Sequence, residues 1–262
     1  MMRSLALHAS GLLPQPLKHW LGTRLPVILR VYAAMLRSEG EVFVTPAGPA
    51  AGIRWRISPQ CHRLALLGTS APEVQRVLVE NIQSGWVVYD LGANIGFYTL
   101  LMAKLVGAAG RVVAFEPAPA MLAELKCQVA LNGFEQIQVL PYAVAAADTQ
   151  VTFELGASPL MSRIVGSPGR AVAISVQART LDRLVYVDGL PAPQLIKMNV
   201  EGSEVDVVAG GSRLFRERRP ILVCEVHSPQ LLERMKQALG PRWHVSRLTE
   251  PKPIAYHHFQ PS

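Results

Sequence analysis

The chain contains few cysteines and no long apolar run. Cys61, Cys127 and Cys224 are its only cysteines, and no two of them form a CxxC pair. A disulfide framework or a thiolate zinc site is therefore not expected, and we predict buried thiols in a reducing compartment. No stretch of about 18 uncharged apolar residues occurs, so no segment is expected to span a bilayer. Half of the 262 residues are nevertheless hydrophobic, which excludes an intrinsically disordered chain.

Acidic residues are missing from one end of the chain. Residues 1–38 contain no Asp or Glu, and residues 1–84 hold nine Lys or Arg against four acids. This segment accounts for five of the seven net positive charges, so residues 85–262 are close to neutral. The charge therefore does not indicate a nucleic-acid-binding core. We expect residues 1–84 to form a basic extension that covers a main domain of residues 85–262.

Residues 17–37 mix apolar and basic side chains and predict an amphipathic helix that is broken near Pro26. Three interpretations are open. The segment packs on the main domain as a cover, lies in a membrane interface, or is a cleaved signal whose apolar region Lys18 and Arg24 interrupt. We expect a cytoplasmic protein, with peripheral membrane contact through residues 1–38 as an additional hypothesis.

From residue 86 onward, strand-like runs alternate with helical patterns. The predicted main strands cover residues 86–91, 111–115, 136–140, 194–198 and 221–226. Shorter strands are expected at 150–155, 171–177, 243–248 and 254–258. The predicted helices cover residues 72–83, 95–106, 119–131, 203–216 and 230–239. This order is typical of an α/β fold with a mostly parallel sheet and helices on both faces.

Polar residues follow the predicted strands, at the edge where open α/β sheets bind ligands. Asp90 ends the first strand, and Gly92 and Gly96 then flank Asn94. Glycine allows a close backbone approach, and the helix that follows offers N–H groups to an anionic ligand. Glu116 ends the second strand, where a carboxylate accepts hydrogen bonds from ribose hydroxyls. The turn and the acid together predict a site for a nucleoside-containing cofactor.

The identity of the nucleoside follows from two departures from the dinucleotide fingerprint. Asn94 takes the place of the middle glycine of GxGxxG. The charge of Asp90 would repel a diphosphate and would favour a nearby ammonium or sulfonium. S-adenosyl-L-methionine carries both cations and therefore fits better than NAD, although an NAD-linked oxidoreductase is the rival. The adenine is expected at the end of the third strand, at Ala143 between Tyr142 and Val144.

Six segments carry a resemblance to a known family, in the same order and with the same spacing. They are DLGANIGFYTL (90–100), GRVVAFEP (110–117), ALNG (130–133), TLD (180–182), IKMNVEGSE (196–204) and RPILVCEVH (219–227). Over roughly residues 75–235 the chain resembles the FkbM-type family of S-adenosylmethionine-dependent methyltransferases. This resemblance implies a class I methyltransferase (Rossmann-like) fold, with a mostly parallel seven-stranded sheet, and methyl transfer to a hydroxyl oxygen. It also implies that the acceptor is a small molecule or a sugar unit.

The catalytic candidates follow the fourth and fifth main strands. Lys197, Asn199 and Glu201 come after the fourth, and Glu225 and His227 end the fifth. His227, Glu201 and Glu225 are the candidate general bases. The family usually has Asp where this chain has Asn199, and because Asn cannot act as a base, a non-catalytic cofactor-binding module is an alternative. No Asp, Glu and His residues have a clear metal-ligand spacing, so no metal site is predicted, and the oligomeric state is not indicated.

A nucleic-acid methyltransferase is not expected, because the sequence has no NPPY-type tetrapeptide and its core is nearly neutral.

Overall fold

A computed structural model describes residues 39–59, 67–155, 163–165, 172–250 and 252–262. The basic segment 1–38, with its three interpretations, and Cys61 lie outside these residues. Within the described ranges, no helix has the length and apolar character needed to cross a membrane.

The described chain forms thirteen strands and seven helices. The strands are β1 (Val42–Val44), β2 (Arg54–Arg56), β3 (Val87–Leu91), β4 (Arg111–Phe115), β5 (Ile137–Leu140), β6 (Ala143–Val144), β7 (Gln150–Glu154), β8 (Arg163–Val165), β9 (Ala173–Arg179), β10 (Leu195–Met198), β11 (Ile221–Val226), β12 (Trp243–Arg247) and β13 (Ala255–Pro261). The helices are α1 (Pro72–Asn81), α2 (Phe97–Val106), α3 (Pro119–Asn132), α4 (Leu181–Tyr186), α5 (Glu204–Gly210), α6 (Ser212–Glu217) and α7 (Pro229–Leu239).

A seven-stranded sheet has the spatial order β12–β13–β11–β10–β3–β4–β5. The five strands from β11 to β5 are parallel, and β13 runs antiparallel to β11 and to β12. The chain runs outward from β3 to β5 and later adds β10 on the other side of β3. A topological switch point therefore lies between β3 and β10, where open sheets bind ligands. The predicted mostly parallel α/β sheet is confirmed.

Successive side chains of the central strands point to opposite faces of the sheet. Val88 of β3 packs in one apolar cluster with Leu78 of α1 and other residues of α1 and α2. The next residue, Tyr89, packs in a second cluster with Val207 of α5 and Met235 of α7. Helices therefore cover both faces, which explains why β3, β4 and β10 are almost continuous apolar runs.

The described part of the predicted extension shares this core. Trp55 of β2 is fully buried and stacks on Phe97 of α2, with ring centroids 6.1 Å apart. The side-chain amide of Gln128 in α3 accepts from the backbone N–H of Arg56 at 2.9 Å and donates to its carbonyl at 2.8 Å. The hairpin of β1 and β2 is thus attached to α2 by apolar packing and to α3 by hydrogen bonds between the Gln128 side chain and the backbone of Arg56.

The structure differs from the sequence predictions in four places. The predicted helix 203–216 is two helices, α5 and α6, which meet at Gly211. Helix α4 was not predicted, nor was a second sheet of order β6–β9–β7–β8. Cys224 is buried as expected, but Cys127 is exposed, because the buried face of α3 carries Met121, Leu125 and Gln128 instead.

Candidate active site

A cleft of about 520 Å³ lies at the carboxyl ends of β3, β4, β10 and β11, beside the switch point. This volume is in the range of small-molecule sites. Eleven of the residues proposed from the sequence line it: Gly92, Asn94, Glu116, Tyr142, Ala143, Val144, Lys197, Asn199, Glu201, Glu225 and His227. The other two, Asp90 and Gly96, lie beneath this surface.

Gly92 allows the loop after β3 to contact the loop after β10. Its backbone has φ +75°, and a Cβ placed there would lie 1.8 Å from the carbonyl oxygen of Asn199. The N–H of Asn199 donates to the carbonyl of Leu91 at 2.9 Å, which holds the loop after β10 against the loop after β3. Only glycine allows this contact, because any side chain would overlap the backbone of the neighbouring loop.

Gly96 lies at the end of the loop after β3, where it packs against α3. A Cβ at Gly96 would lie 2.5 Å from Cδ1 of Leu125, and its φ is +98°. Gly96 precedes α2, so its lack of a side chain lets the start of α2 approach α3. Its role is to pack the helix that follows the loop.

Glu116 is fixed at the end of β4 by two backbone donors. Oε2 accepts from the N–H of Asn94 at 2.7 Å, and Oε1 accepts from the N–H of Ala118 at 2.9 Å. Burial raises the pKa of Glu116 to about 7, against the effect of these two N–H groups, which favour the charged form. The carboxylate is therefore held in one orientation at the cleft, with lone pairs left for further donors.

Asp90 lies behind Lys197. Its side chain is fully buried, and Oδ1 is 3.3 Å from Nζ of Lys197 while Oδ2 accepts from the hydroxyl of Thr99 at 2.6 Å. Nζ of Lys197 also lies 4.8 Å from the ring centroid of Tyr98. Lys197 lines the cleft and Asp90 does not, so the charge of Asp90 is met by Lys197 and not, as the sequence suggested, by a cation of the cofactor. The sequence identified both residues but not their pairing.

The wall after β5 is formed by the residues predicted to meet an adenine. Tyr142, Ala143 and Val144 all line the cleft, next to Phe115. The guanidinium of Arg179 lies 5.4 Å from the ring centroid of Tyr142. This part of the cleft is largely apolar and suits a flat aromatic group.

His227 lies between two carboxylates. Its Nε2 is 3.0 Å from Oε2 of Glu201, and its Nδ1 is 2.5 Å from Oε1 of Glu204. Burial by itself lowers the pKa of His227, but the hydrogen bonds to Glu201 and Glu204 outweigh it and raise the pKa to about 10. His227 thus holds a proton at neutral pH and is not a free base in this arrangement.

Glu225 completes a cluster with Glu201 and His227. One ligand atom from each of the three lies within 4.8 Å of the other two. Burial raises the pKa of Glu225, and the charges of Lys197 and His227 act in the opposite direction. Glu201 has a left-handed backbone with φ +51°, which is uncommon for a residue other than glycine. We refer to Glu201, Glu225 and His227 as the acidic cluster.

Several lining residues were not identified from the sequence. Phe153 of β7 and Ile164 of β8 come from the second sheet, Tyr256 comes from β13, and Ser70 precedes α1. No motif marks them, because they reach the cleft through long-range packing. Glu204 was also missed as a partner of His227. Their pairing depends on β10 and β11 being neighbours in the sheet, which brings the start of α5 beside the end of β11.

Comparisons with known proteins identify a family and agree with the fold. The family model described as "Methyltransferase FkbM domain" matches residues 90–243. The hexuronic acid methyltransferase AglP of Haloferax volcanii is 25% identical over 60% of this chain and 62% of its own. The 31-O-demethyl-FK506 methyltransferase FkbM of Streptomyces tacrolimicus is 29% identical over 56% of this chain and 67% of its own. The matched region thus spans less than two thirds of the Haloferax protein.

A solved structure, the putative methyltransferase yhhF of Escherichia coli, superposes with a TM-score of 0.50. It covers 85% of this chain and 99% of its own, at 12% identity. This likeness concerns the fold alone, and the fold is that of the class I methyltransferases. Because the family model covers more than half of the chain, including both loops that form the cleft, the protein belongs to the FkbM methyltransferase family.

Proposed function

We propose that the protein is an S-adenosyl-L-methionine-dependent methyltransferase that methylates a hydroxyl oxygen of a small molecule or a sugar unit. The main support is the orientation of Glu116, whose two oxygens are held by the N–H groups of Asn94 and Ala118 at the end of β4. A carboxylate at that point, beside a glycine loop, suits the two ribose hydroxyls of an adenosyl group.

The cofactor's other parts follow from this anchor. The adenine lies against Tyr142, Ala143 and Val144, which continue the wall after β5. The methionine end lies along the loop from Gly92, where Lys197 presents its ammonium group. Because Asp90 is buried behind that ammonium, we expect Lys197 to receive the methionine carboxylate. Asp90 then acts by holding Lys197 in place.

The acceptor binds at the acidic cluster. Its hydroxyl oxygen attacks the sulfonium methyl group in line, so that a C–O bond forms while the C–S bond breaks and S-adenosylhomocysteine leaves. The main contribution to the rate is the near-attack geometry of the two bound reactants. The hydroxyl proton passes to the carboxylate of Glu201, because His227 already holds a proton. Glu204 and His227 position Glu201.

Asn199 has a positioning role. It lines the cleft, and its Oδ1 is buried without a hydrogen-bond partner among the residues described. An amide oxygen accepts a hydrogen bond from the acceptor hydroxyl but does not take its proton. This placement is compatible with catalysis because the carboxylate of Glu201 lies in the same cleft.

The proposal is tested by methyl transfer from isotope-labelled S-adenosyl-L-methionine to a panel of sugars and other hydroxylated small molecules. We expect labelled methyl ether in at least one product. His227→Ala serves as the impaired enzyme, and Glu135→Ala, an exposed acid before β5, serves as the matched control. Hydride transfer from NADH with no methyl transfer would contradict the proposal and favour the oxidoreductase.

A further inference from the structure

We propose that Glu201, Glu225 and His227 bind a divalent metal ion at the acceptor end of the cleft. Each offers one ligand atom, and these three atoms lie within 4.8 Å of one another. Adjacent ligands of an octahedral ion at about 2.1 Å lie about 3 Å apart. The distance from Nε2 of His227 to Oε2 of Glu201, 3.0 Å, already matches one such edge.

The hydrogen bond that the second ring nitrogen of His227 makes is typical of a metal ligand. A histidine that binds a metal commonly donates its other ring N–H to a carboxylate, which fixes the tautomer and the ring orientation. Here Nδ1 of His227 lies 2.5 Å from Oε1 of Glu204, and that oxygen also accepts from the N–H of Gly202 at 3.0 Å. Nδ1 is therefore engaged, which leaves Nε2, on the side of Glu201, as the ligand atom.

The buried carboxylate of Glu204 is an independent reason to expect a cation near His227. Its side chain is fully buried, and its second oxygen, Oε2, has no hydrogen-bond partner within the described part of the chain. An unpaired buried carboxylate oxygen is costly unless positive charge lies close to it. The imidazole of His227 is shared with Glu201, and Lys197 is 3.3 Å from Asp90. A divalent cation at Nε2 would add the missing charge.

The donor set indicates the class of ion. Two carboxylates and one imidazole suit a first-row divalent ion such as Mn²⁺, because carboxylates and imidazole both ligate such ions. The cation replaces the proton that Nε2 of His227 shares with Oε2 of Glu201. His227 is therefore not a base in either state, and the second carboxylate oxygen of Glu201 stays available for the hydroxyl proton of the proposed reaction. The coordination positions that the three side chains leave open are available to an acceptor with two neighbouring oxygens, such as a vicinal diol of a sugar. This role in acceptor binding rests on the proposed function, whereas the metal site itself does not.

The test is a calorimetric titration of Mn²⁺ into the full chain after removal of metals with a chelator, without cofactor or acceptor. We expect one Mn²⁺ per chain. Glu225→Gln should weaken binding at least tenfold, because a charged ligand is lost while the size is kept. Glu233→Gln, which removes an exposed carboxylate on α7, should leave Mn²⁺ affinity unchanged. Glu204→Gln should weaken binding by about 10- to 100-fold through the orientation of His227.

Pulsed electron paramagnetic resonance of bound Mn²⁺ provides a second readout, since it detects the nitrogen of a coordinated imidazole. That coupling should be present in the wild type and absent in His227→Gln. If Glu225→Gln does not fold by circular dichroism, Glu201→Gln removes a more accessible ligand and gives the same comparison.

Absence of saturable Mn²⁺ binding, or equal affinity in the wild type, Glu225→Gln and Glu233→Gln, would overturn the metal site. A parallel titration with S-adenosylhomocysteine reports on the proposed function separately. Cofactor binding without Mn²⁺ binding would reject only the metal site, and Mn²⁺ binding without cofactor binding would reject only the proposed function.

Discussion

The two ends of the cleft are built in different ways. The proposed ribose and adenine site comes from consecutive elements, β3 to β6, and its polar anchor is the carboxylate of Glu116, which the N–H groups of Asn94 and Ala118 orient. The proposed acceptor end lies after β10 and β11, and its polar groups are the carboxylates and the imidazole around His227. The first end follows from local sequence, whereas the second depends on distant parts of the chain. Family membership thus indicates a cofactor more directly than an acceptor.

The largest expected effect is at Gly92, whose close contact with Asn199 holds the loops after β3 and β10 together. In Gly92→Ala, the new Cβ would lie 1.8 Å from the carbonyl oxygen of Asn199, so the two loops must separate. We expect the free energy of unfolding to fall by at least about 3 kcal/mol, measured by chemical denaturation. Gly133→Ala is the matched control, because it has a similar φ of +66° and nothing within 4 Å of the added Cβ. Equal losses in both variants would show that the loops do not depend on this contact.

Removal of the His227 imidazole should lower kcat without lowering the affinity for the cofactor. His227→Ala leaves the carboxylates of Glu201 and Glu204 without their shared partner, and we expect kcat to fall by roughly 100-fold or more. The affinity for S-adenosylhomocysteine should change by less than about threefold, because His227 belongs to the acceptor end. Single-turnover methyl transfer and calorimetry measure the two quantities. An equal loss of both would mean that the two ends are not independent.

The pH dependence of cofactor binding tests the cofactor end alone. Because burial raises the pKa of Glu116 to about 7, this carboxylate gains a proton as the pH falls below 7 and then accepts fewer hydrogen bonds from a ribose. We expect the affinity for S-adenosylhomocysteine to be constant above pH 8 and to fall by up to about tenfold per pH unit below 7. Glu116→Gln should bind weakly with a flat profile between pH 5 and 8. A flat profile in the wild type would contradict the assignment.

The smallest effect is expected at Asn199. Because Glu201 accepts the proton in this account, Asn199→Asp should change kcat by less than about tenfold. The measurement is transfer of labelled methyl groups under saturating cofactor. A gain of 100-fold or more would instead show that the natural chain is a cofactor-binding module whose catalytic base has been lost.

The sequence predicted the sheet and the cofactor loop because both depend on short-range patterns. The apolar runs of β3 and β4 and the spacing from Gly92 to Glu116 are visible within thirty residues. The pairing of Asp90 with Lys197 could not be read in this way, because it depends on the register of β3 and β10. The same holds for Glu204 and His227, which lie on neighbouring elements 23 positions apart. Phe153 and Ile164 line the cleft from the second sheet, and no sequence motif predicts that they lie there.

In the proposed complex Glu116 anchors the adenosyl ribose, and titration calorimetry with S-adenosylhomocysteine measures what this carboxylate contributes to binding. We expect saturable binding to the wild type, no binding of NAD, and unchanged affinity in the surface control Glu135→Ala. Glu116→Ala should weaken binding by about 1–3 kcal/mol, which corresponds to roughly 5- to 150-fold in Kd. Equal affinity in Glu116→Ala and the wild type, with both proteins folded, would contradict the account.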